Sequence, residues 1–442
     1  MKYSVITFGC RVNQADSLGF EEDLLAGGAV AASPQAADLV IVNTCSVTAT
    51  ADQGTRQTIR RLARDNPNAR IVVTGCYATR RPDDVAALPN VAQVVLNDDK
   101  PRLIQLLKEA TAETAEHAKR NVFSAVFAPS AVSSVGDGPC GATIEPGVAG
   151  RTAFTLRVQT GCAEPCSYCI IPKTRGTPRS VRAEEILREV HRVAGAGFKE
   201  IALTGVHLGS YGRDLEPRSS LMELLRALDA DVAQGFSPAG RDILFRISSL
   251  EPMECSRAVV DLVASSDRFA PHFHLPLQHA SNRVLAAMRR PYTIEYYTSL
   301  VDDIRARIPH ASIGSDIIVG FPGETDEDFE QLADYLERSP LTPIHVFPYS
   351  DRPETPASTM TGHVNGVVVR ERGRRIRDIG RLLSGRFRES QIGTTHRALT
   401  LEDGTLAVTG NYLKVRIPPG RARNEWVRVK LTSQHDGELL GG

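Results

Sequence analysis

Several features that the chain lacks narrow the class of protein. No run of eighteen apolar residues occurs in the 442 residues, so no segment is typical of a membrane-spanning helix. The first residues lead into a strand-like stretch rather than into the apolar core of a signal peptide. No solenoid-type repeat is apparent. Net charge is absent as well, because 52 basic residues balance 52 acidic ones, so global charge indicates no nucleic-acid partner. We expect a cytoplasmic protein.

The cysteine content fits a reducing compartment. Eight cysteines without an export signal would stay free to bind metal there. With 442 residues, 42% of them hydrophobic, the chain can form two or three domains with their own cores. We predict an α/β domain over residues 1–112, a linker rich in Ala, Ser, Gly and Pro over 113–150, a central barrel over 151–376 and a small β-barrel over 377–442.

Three closely spaced cysteines form the most informative motif of the chain. Cys162, Cys166 and Cys169, here called the close trio, follow a strand-like run over 154–158 in a C-x3-C-x2-C pattern. Iron-sulfur clusters are held by Cys thiolates, and three thiolates leave one iron of a cubic cluster open for another ligand. A structural zinc site needs four protein ligands, and the next cysteine, Cys255, has no finger-like spacing. The motif therefore favours an iron-sulfur cluster with an open iron.

Three further cysteines each end a short apolar run. Cys10, Cys45 and Cys76, here called the dispersed trio, follow runs that read as buried parallel strands alternating with helices. The carboxyl ends of parallel strands converge on one crevice, so these thiols can meet there. Inert buried thiols are the alternative. A disulfide is disfavoured, because three is an odd number and nothing indicates export.

The motifs resemble those of a known family. The close trio at the end of a first strand resembles the radical S-adenosylmethionine (SAM) enzymes. With the motifs around the dispersed trio, nearly the whole chain resembles one family among them, the methylthiotransferases. The stretches that carry this resemblance, besides the close trio, are 9–13, 43–45, 74–76, 204–212, 247–252, 274–279 with 281–283, 316–324 and 346–350.

The resemblance implies two 4Fe-4S clusters and SAM as cofactors. The close trio would bind the cluster whose open iron chelates SAM, and its cysteines would be the catalytic ones. The dispersed trio would bind a second cluster that carries the sulfur to be transferred. SAM would serve both as methyl donor and as the source of a 5′-deoxyadenosyl radical. An electron donor such as flavodoxin or ferredoxin and a sulfur source would be required.

The resemblance also implies residues that contact SAM, each with an open structural alternative such as packing, a tight turn or a buried cap. In order of the chain they are Tyr168 near the adenine, Gly205 and Gly209 near the methionyl amino group, Ser248 and Glu251 near the ribose or amino group, and Asp316 and Gly320 on the adenine side. Arg175 is either a phosphate contact or a surface arginine. Cys140 and Cys255 receive no role.

Repeated strand and helix patterns define the fold class, α/β. Six strand candidates alternate with helices and predict a partial (βα)6 barrel with chemistry at the carboxyl ends of its strands. They cover 153–158, 200–204, 243–248, 272–277, 313–319 and 344–348. The helix after the fifth strand begins with a capping box at Thr325 in which Asp328 replaces the usual Glu.

The last segment changes period and charge. A hairpin pattern around Asp403-Gly404 and an alternating stretch over 427–431 predict a small β-barrel. From residue 365 onward, 15 basic residues stand against 8 acidic ones, and the basic residues are concentrated over 370–377 and around Arg421 and Arg423. The segment resembles, by position and pattern, the RNA-binding TRAM domain of methylthiotransferases. A solvated charged face without a partner is the alternative.

Three substrates are known in the family that the chain resembles. The motifs over 9–13 and 204–215 resemble the branch that acts on N6-threonylcarbamoyladenosine at tRNA position 37, which makes the anticodon stem-loop the expected partner. The branch acting on N6-isopentenyladenosine and the branch acting on a ribosomal-protein aspartate remain alternatives. So does a noncatalytic iron-sulfur RNA-binding redox sensor. Residues 163–165 and Lys173 depart from the usual residues, which puts local substrate contacts in doubt.

Overall fold

The computed structural model describes residues 1–109, 146, 152–235, 242–435 and 437–442. Cys140 and almost all of the predicted linker lie outside these residues. The chain divides into two compact units, Met1–Ile144 and Glu145–Gly442, and each is described by itself. None of the described helices is both long enough and apolar enough to span a membrane.

The first unit contains a five-stranded, entirely parallel sheet in the order β2-β1-β3-β4-β5. Its elements are β1 (Lys2–Thr7), α1 (Arg11–Ala26), β2 (Val30–Ala31), β3 (Leu39–Thr44), α2 (Ala49–Asp65), β4 (Arg70–Gly75), α3 (Cys76–Arg80), α4 (Pro82–Ala86) and β5 (Val91–Val95). Residues 103–109 are also helical and are called α5.

Burial explains why the central strands of this sheet are continuous apolar runs. Helices cover the sheet, and Val40, Ile41 and Val42 of β3 are fully buried. Ile59 and Leu62 of α2 pack against Val40 and Val42 in one hydrophobic cluster. All strands run in the same direction, so the loops at their carboxyl ends lie along one edge of the sheet.

The second unit contains the six predicted barrel strands, and this prediction is confirmed. They form two parallel three-stranded sheets, β6-β9-β10 and β11-β12-β13, linked by a parallel bridge between Phe245 and Phe269. The strands are β6 (Phe154–Arg157), β9 (Glu200–Thr204), β10 (Leu244–Ile247), β11 (His272–His274), β12 (Ser312–Val319) and β13 (Ile344–Pro348), and the short pair β7 (Gln159–Thr160) and β8 (Arg179–Ser180) lies outside these sheets.

Helices alternate with these strands. They are α6 (Ile171–Arg175), α7 (Ala183–Gly195), α8 (Leu221–Gln234), α9 (Arg257–Ser265), α10 (Asn282–Ala287), α11 (Ile294–Arg307), α12 (Asp326–Arg338) and α13 (Gly366–Ser390). The predicted capping box of α12 is present, because the Thr325 side chain accepts from the Asp328 amide and the Asp328 carboxylate accepts from the Thr325 amide.

The chain ends in a closed five-stranded β-barrel, called the C-terminal barrel. Its strands are β14 (Thr395–Leu401), β15 (Leu406–Thr409), β16 (Lys414–Arg416), β17 (Trp426–His435) and β18 (Glu438–Gly441). The predicted start at residue 377 falls inside α13, which is continuous because its apolar face is buried both against the barrel helices and, through Phe387, in the C-terminal barrel. The strands begin only at Thr395.

The C-terminal barrel packs against the amino-terminal ends of the six-strand barrel. Tyr412 stacks on His272, with ring centroids 5.0 Å apart, and lies beneath the Arg246 guanidinium at 4.5 Å. Arg246, fully buried, pairs with Glu200 (Nε to Oε1, 2.8 Å) and donates to the Gly410 carbonyl. The opposite end of the six-strand barrel, where the strands have their carboxyl termini, is not covered by the C-terminal barrel and carries the candidate site.

A buried network joins β12 to its neighbouring helices. The Glu324 carboxylate accepts from the Arg372 guanidinium at 2.6 Å and from the Gly320 amide at 2.7 Å. His279 Nε2 lies 3.6 Å from Glu324, and its Nδ1 accepts from the Ser281 amide at 3.0 Å. Burial lowers the pKa of His279 to about 4, and the charges of Arg372 and Arg283 act in the same direction, against the opposite effect of Asp328.

This low pKa predicts a pH dependence of stability. Between pH 6.5 and pH 4 an unfolded histidine takes up a proton that folded His279 excludes, so the free energy of unfolding falls as pH decreases through this window, by about 3 kcal/mol in total. The free energy of unfolding at each pH is measured by urea titration, followed by the fluorescence of Trp426, the single tryptophan.

The variant His279→Asn keeps an acceptor for the Ser281 amide and should lose this part of the pH dependence. His363→Asn, at an exposed position, is the control. Identical pH profiles for wild type and His279→Asn would contradict the assignment.

Candidate active site with two cysteine trios

The dispersed trio lies at the carboxyl edge of the first unit's sheet. Cys10 follows β1 and occupies the N-cap position of α1 without a side-chain capping hydrogen bond, Cys45 follows β3, and Cys76 follows β4 directly. These three strands are neighbours, so the convergence predicted from the sequence is present. Burial raises the pKa of Cys45 to about 11, and charge on Cys76 and on Cys10 contributes to the rise. Cys10 is exposed and the other two are buried.

Two glycines allow the cysteine loops to approach one another. A Cβ atom on Gly9 would lie 2.6 Å from the Cβ and 2.7 Å from the Sγ of Cys45. Gly75 adopts φ +99°, and a Cβ atom there would lie 2.3 Å from the Thr44 carbonyl oxygen. Any larger residue at either position would push the strand ends apart. The Gly-Cys pairs of the sequence are therefore a packing requirement of this site.

Asparagine and threonine side chains hold the three loops together. Asn13 Nδ2 donates to the carbonyls of Phe8 and Thr44, both at 2.8 Å. The Thr44 hydroxyl donates to the Thr74 carbonyl at 2.6 Å and accepts from the Tyr77 amide at 3.2 Å. The polar residues of the motifs around Cys10, Cys45 and Cys76 thus connect β1, β3 and β4 below the thiols.

Two residues at this site were not recognised in the sequence. Asn97 Nδ2 lies 3.7 Å from the Cys76 sulfur, within range of a weak hydrogen bond. Lys100, with an almost fully buried side chain, pairs with Asp16 at 2.8 Å and reaches Asn13 Oδ1 at 3.3 Å. Both follow β5, at the same edge of the sheet, and that position after a fourth strand is the signal that could have revealed them.

The close trio lies in the loop after β6 and β7, at the carboxyl ends of the barrel strands. Burial raises the pKa of Cys169 to about 12 and that of Cys162 to about 11, and charge on Cys166 contributes to both. Ser167, between the ligands, anchors the loop: its amide donates to the Met288 carbonyl and its hydroxyl to the Ala287 carbonyl. The loop is therefore fixed against the end of α10.

A buried arginine contacts the close trio and was missed by sequence reasoning. Arg290 Nη1 lies 3.1 Å from the Cys166 sulfur, and Nη2 pairs with the Glu251 carboxylate. Its Nε lies 3.1 Å from the Tyr292 hydroxyl, which in turn donates to the Pro276 carbonyl. The side chain of Arg290 is 2% exposed, so this permanent charge is held at the sulfur by the protein.

The predicted SAM contacts fall into three groups. Ser248 and Glu251 follow β10, and Tyr168 packs against a cluster that includes Ile318 and Phe321 at the end of β12. The Ser248 hydroxyl is buried and has no hydrogen-bond partner among the described residues, which fits a contact to a bound ligand. Glu251 is already paired with Arg290.

The second group has visible structural partners. A Cβ atom on Gly209 would lie 2.3 Å from Glu254, and one on Gly205 would lie 3.0 Å from the Gln159 amide oxygen, so both glycines allow close packing. Gly320 adopts φ +79° in the turn that Glu324 binds.

Asp316 lies in a small polar cluster of its own. Its carboxylate is 3.1 Å from His274 Nε2, and His345 lies alongside, with the ligand atoms of all three within 4.8 Å of one another. The three residues lie on the adjacent strands β11, β12 and β13.

Two remaining predictions are settled by burial. Arg175 is 3% exposed and lies beside Thr160, so it is neither a surface residue nor accessible to phosphate. Arg175 is inaccessible because it is buried in the turn next to the loop of the close trio. Cys255 is buried, and burial raises its pKa to about 12, which is typical of an inert thiol.

Both trios fit the cluster that the sequence predicts for them. Each supplies three thiols and nearby donors but lacks an obvious fourth ligand among the described residues, as a cluster with one open iron requires.

We expect anaerobic reconstitution to load about eight iron atoms per chain, and Ala at Cys162, Cys166 and Cys169 to reduce this to about four. Iron and sulfide analysis measures it, with Cys255→Ala as the control. Unchanged iron in the triple variant would contradict the assignment.

Arg290 predicts a property of the cluster beyond its presence. Hydrogen bonds and positive charge at a cluster sulfur favour the reduced form, so Arg290→Gln should shift the reduction potential of that cluster to more negative values. The reduction potential is measured by potentiometric titration monitored by electron paramagnetic resonance. The dispersed trio is replaced by Ala in these proteins, so that only the cluster of the close trio contributes to the signal. Arg289→Gln changes an exposed neighbour by the same charge and should leave the potential in place. Equal shifts for both variants would contradict a specific role of Arg290.

Comparison with known proteins places these features in a family. Residues 2–97 match the family described as Uncharacterized protein family UPF0004, and residues 156–336 match the Radical SAM superfamily. The threonylcarbamoyladenosine tRNA methylthiotransferase MtaB of Aquifex aeolicus is 35% identical over 97% of this chain and 100% of its own length. The tRNA-2-methylthio-N(6)-dimethylallyladenosine synthase of Corynebacterium glutamicum strain ATCC 13032 is 34% identical over 91% of this chain and 75% of its own length.

The fold has solved counterparts. The radical SAM methyltransferase TsrM of Kitasatospora setae, solved with cobalamin and a [4Fe-4S] cluster, is similar with a TM-score of 0.56 and 17% identity over 81% of this chain and 74% of its own. At that identity the likeness concerns the fold alone. The full-length relatives and both family matches, together with the two trios, show that the chain belongs to the radical-SAM methylthiotransferases, enzymes that use SAM and 4Fe-4S clusters.

Proposed function

We propose that this protein methylthiolates tRNA, converting N6-threonylcarbamoyladenosine at position 37, 3′ of the anticodon, to its 2-methylthio derivative. The observation that carries the proposal is the presence of two separate three-thiol sites on one chain. A radical SAM enzyme that only cleaves SAM needs the close trio alone. A second trio, which lies at the edge of another sheet, indicates a second cluster with a separate function.

The reaction explains why such cofactors are needed. Carbon 2 of adenine is not acidic, so general acid-base catalysis, typically worth about 10²–10⁴-fold, cannot activate it. When bound, the clusters and SAM would supply the methylthio group and the radical chemistry that this carbon requires. We assign Cys10, Cys45 and Cys76 to one cluster and Cys162, Cys166 and Cys169 to the other.

The remaining task of the chain is to bind, orient and exclude water. We assign the unpaired Ser248 hydroxyl to a hydrogen bond with SAM, and Tyr168 with Ile318 and Phe321 to the apolar wall beside it. Glu251 acts through Arg290, since their ion pair fixes the guanidinium at Cys166. Asp316, held by His274, is a fixed acceptor on the adenine side. Gly205, Gly209 and Gly320 contribute backbone at the same strand ends.

The choice of substrate is supported by two observations. Relatives from Aquifex aeolicus and Bacillus subtilis, 35% and 36% identical, are named as threonylcarbamoyladenosine tRNA methylthiotransferases. The motifs over 9–13 and 204–215 resemble the same branch. Relatives that are 34% identical are named as dimethylallyladenosine synthases, which makes isopentenylated tRNA the second candidate. An electron donor and a sulfur source complete the proposed set of partners.

Turnover on defined RNA tests the substrate. Reconstituted protein, SAM and dithionite are incubated anaerobically with anticodon stem-loops carrying either threonylcarbamoyladenosine or isopentenyladenosine, and nucleosides are identified by mass spectrometry. We expect 2-methylthio product on the first stem-loop, at least tenfold faster than on the second. An unmodified stem-loop is the control.

The other outcomes are distinct. Faster product formation on the isopentenylated stem-loop would move the protein to the second branch without changing the chemistry. Product on neither RNA, together with modification of a ribosomal-protein aspartate, would overturn the tRNA proposal. A protein that binds RNA and changes its cluster redox state but never cleaves SAM would be a sensor.

A further inference from the structure

The helix α13 carries an unusual concentration of arginine. Eight of its 25 residues are arginines, against three acidic residues. Four of the arginines, Arg370, Arg374, Arg377 and Arg381, are exposed and follow one another at spacings of four, three and four residues. At 3.6 residues per turn this spacing places them within about 60° of arc, so they form one straight line along the helix. We call this line the arginine stripe.

Charges on α13 are segregated around its circumference. Arg372 and Arg375 lie on the side that faces α12, where they pair with Glu324 and Glu330. The acidic residues Glu371, Asp378 and Glu389 lie about 40–120° around the helix from the stripe residues. Of the stripe, Arg381 pairs with Asp378, whereas the other three have no ion pair among the described residues. The stripe therefore presents uncompensated positive charge to solvent.

The contacts at the two ends of α13 show where the arginine stripe lies in the second unit. Near its amino end, Val369 packs on Gly320 at the carboxyl end of β12, beside the residues assigned to SAM. Near its carboxyl end, Phe387 lies in the core of the C-terminal barrel, which packs at the opposite ends of the strands. A 25-residue helix is about 37 Å long, so α13 spans the distance between these two places.

We infer that the arginine stripe binds the phosphate backbone of the RNA substrate and guides it from the C-terminal barrel to the carboxyl ends of the barrel strands. This inference rests on the proposed function. Its physical basis is charge complementarity: a row of exposed guanidinium groups along a rigid helix, three of them without an ion pair among the described residues, matches a row of phosphates, and each contact releases counterions. Since α13 runs from the carboxyl end of β12 to the C-terminal barrel, an RNA bound along the stripe would reach both places.

Salt dependence of RNA binding is the direct test. The dissociation constant of the full-length reconstituted protein for an anticodon stem-loop is measured by fluorescence anisotropy at several salt concentrations. Replacing all four stripe arginines by Gln should weaken binding and reduce the log-log salt slope by up to about 3, at roughly 0.7–0.9 for each phosphate that is no longer bound. Replacing them by Lys keeps the charge and should retain most of the slope.

A matched control comes from the same helix. Arg375→Gln with Arg386→Gln removes charge on the side facing α12 and should leave the salt slope within about 0.5. If the four-Gln variant keeps the wild-type slope while the intact protein still modifies RNA, the inference fails and the proposed function stands. If that variant binds RNA normally but is reduced more slowly by an acidic electron-transfer protein, the stripe serves that partner, which also overturns the inference. Intact protein without RNA binding would refute the proposed function itself.

Discussion

The dispersed trio depends on one constraint: thiols that are far apart in the chain must meet at one place. Parallel strands satisfy it because their carboxyl ends share an edge. In the first unit this edge brings together Cys10, Cys45 and Cys76, and the approach is close enough that glycine is required at positions 9 and 75. The close trio needs only one loop, yet that loop is also anchored at the carboxyl ends of the strands, by Ser167 against α10.

Three ion pairs, each with a buried arginine, connect elements of the second unit. Arg246 pairs with Glu200 near the C-terminal barrel, Arg290 with Glu251 at the close trio, and Arg372 with Glu324 beneath α13. Removing one partner of such a pair leaves an uncompensated charge, at a cost of about 3–5 kcal/mol. These pairs therefore fix the positions of α13 and of the Cys166 loop more tightly than apolar packing alone would.

Local sequence patterns predicted most of the fold, and the positions of the cysteines predict the two candidate cluster sites. Short apolar runs located all six barrel strands, since a buried parallel strand has a local signature. Contacts between distant residues had no such signature. Arg290 meets Cys166 across 124 positions, and Arg175 is buried only because the chain folds over it. Helix α13 crosses the predicted domain boundary at 376 because tertiary packing, not composition, decides where it ends.

The central claim is that the two trios hold clusters with different tasks. The most direct measurement compares two triple Ala variants of the reconstituted protein, one for each trio, by quantifying 5′-deoxyadenosine and methylthiolated nucleoside in the same reaction. Replacing Cys10, Cys45 and Cys76 should abolish methylthiolation and leave SAM cleavage measurable, whereas replacing Cys162, Cys166 and Cys169 should abolish both. A folded dispersed-trio variant that forms no 5′-deoxyadenosine, or that still methylthiolates RNA, would contradict the account.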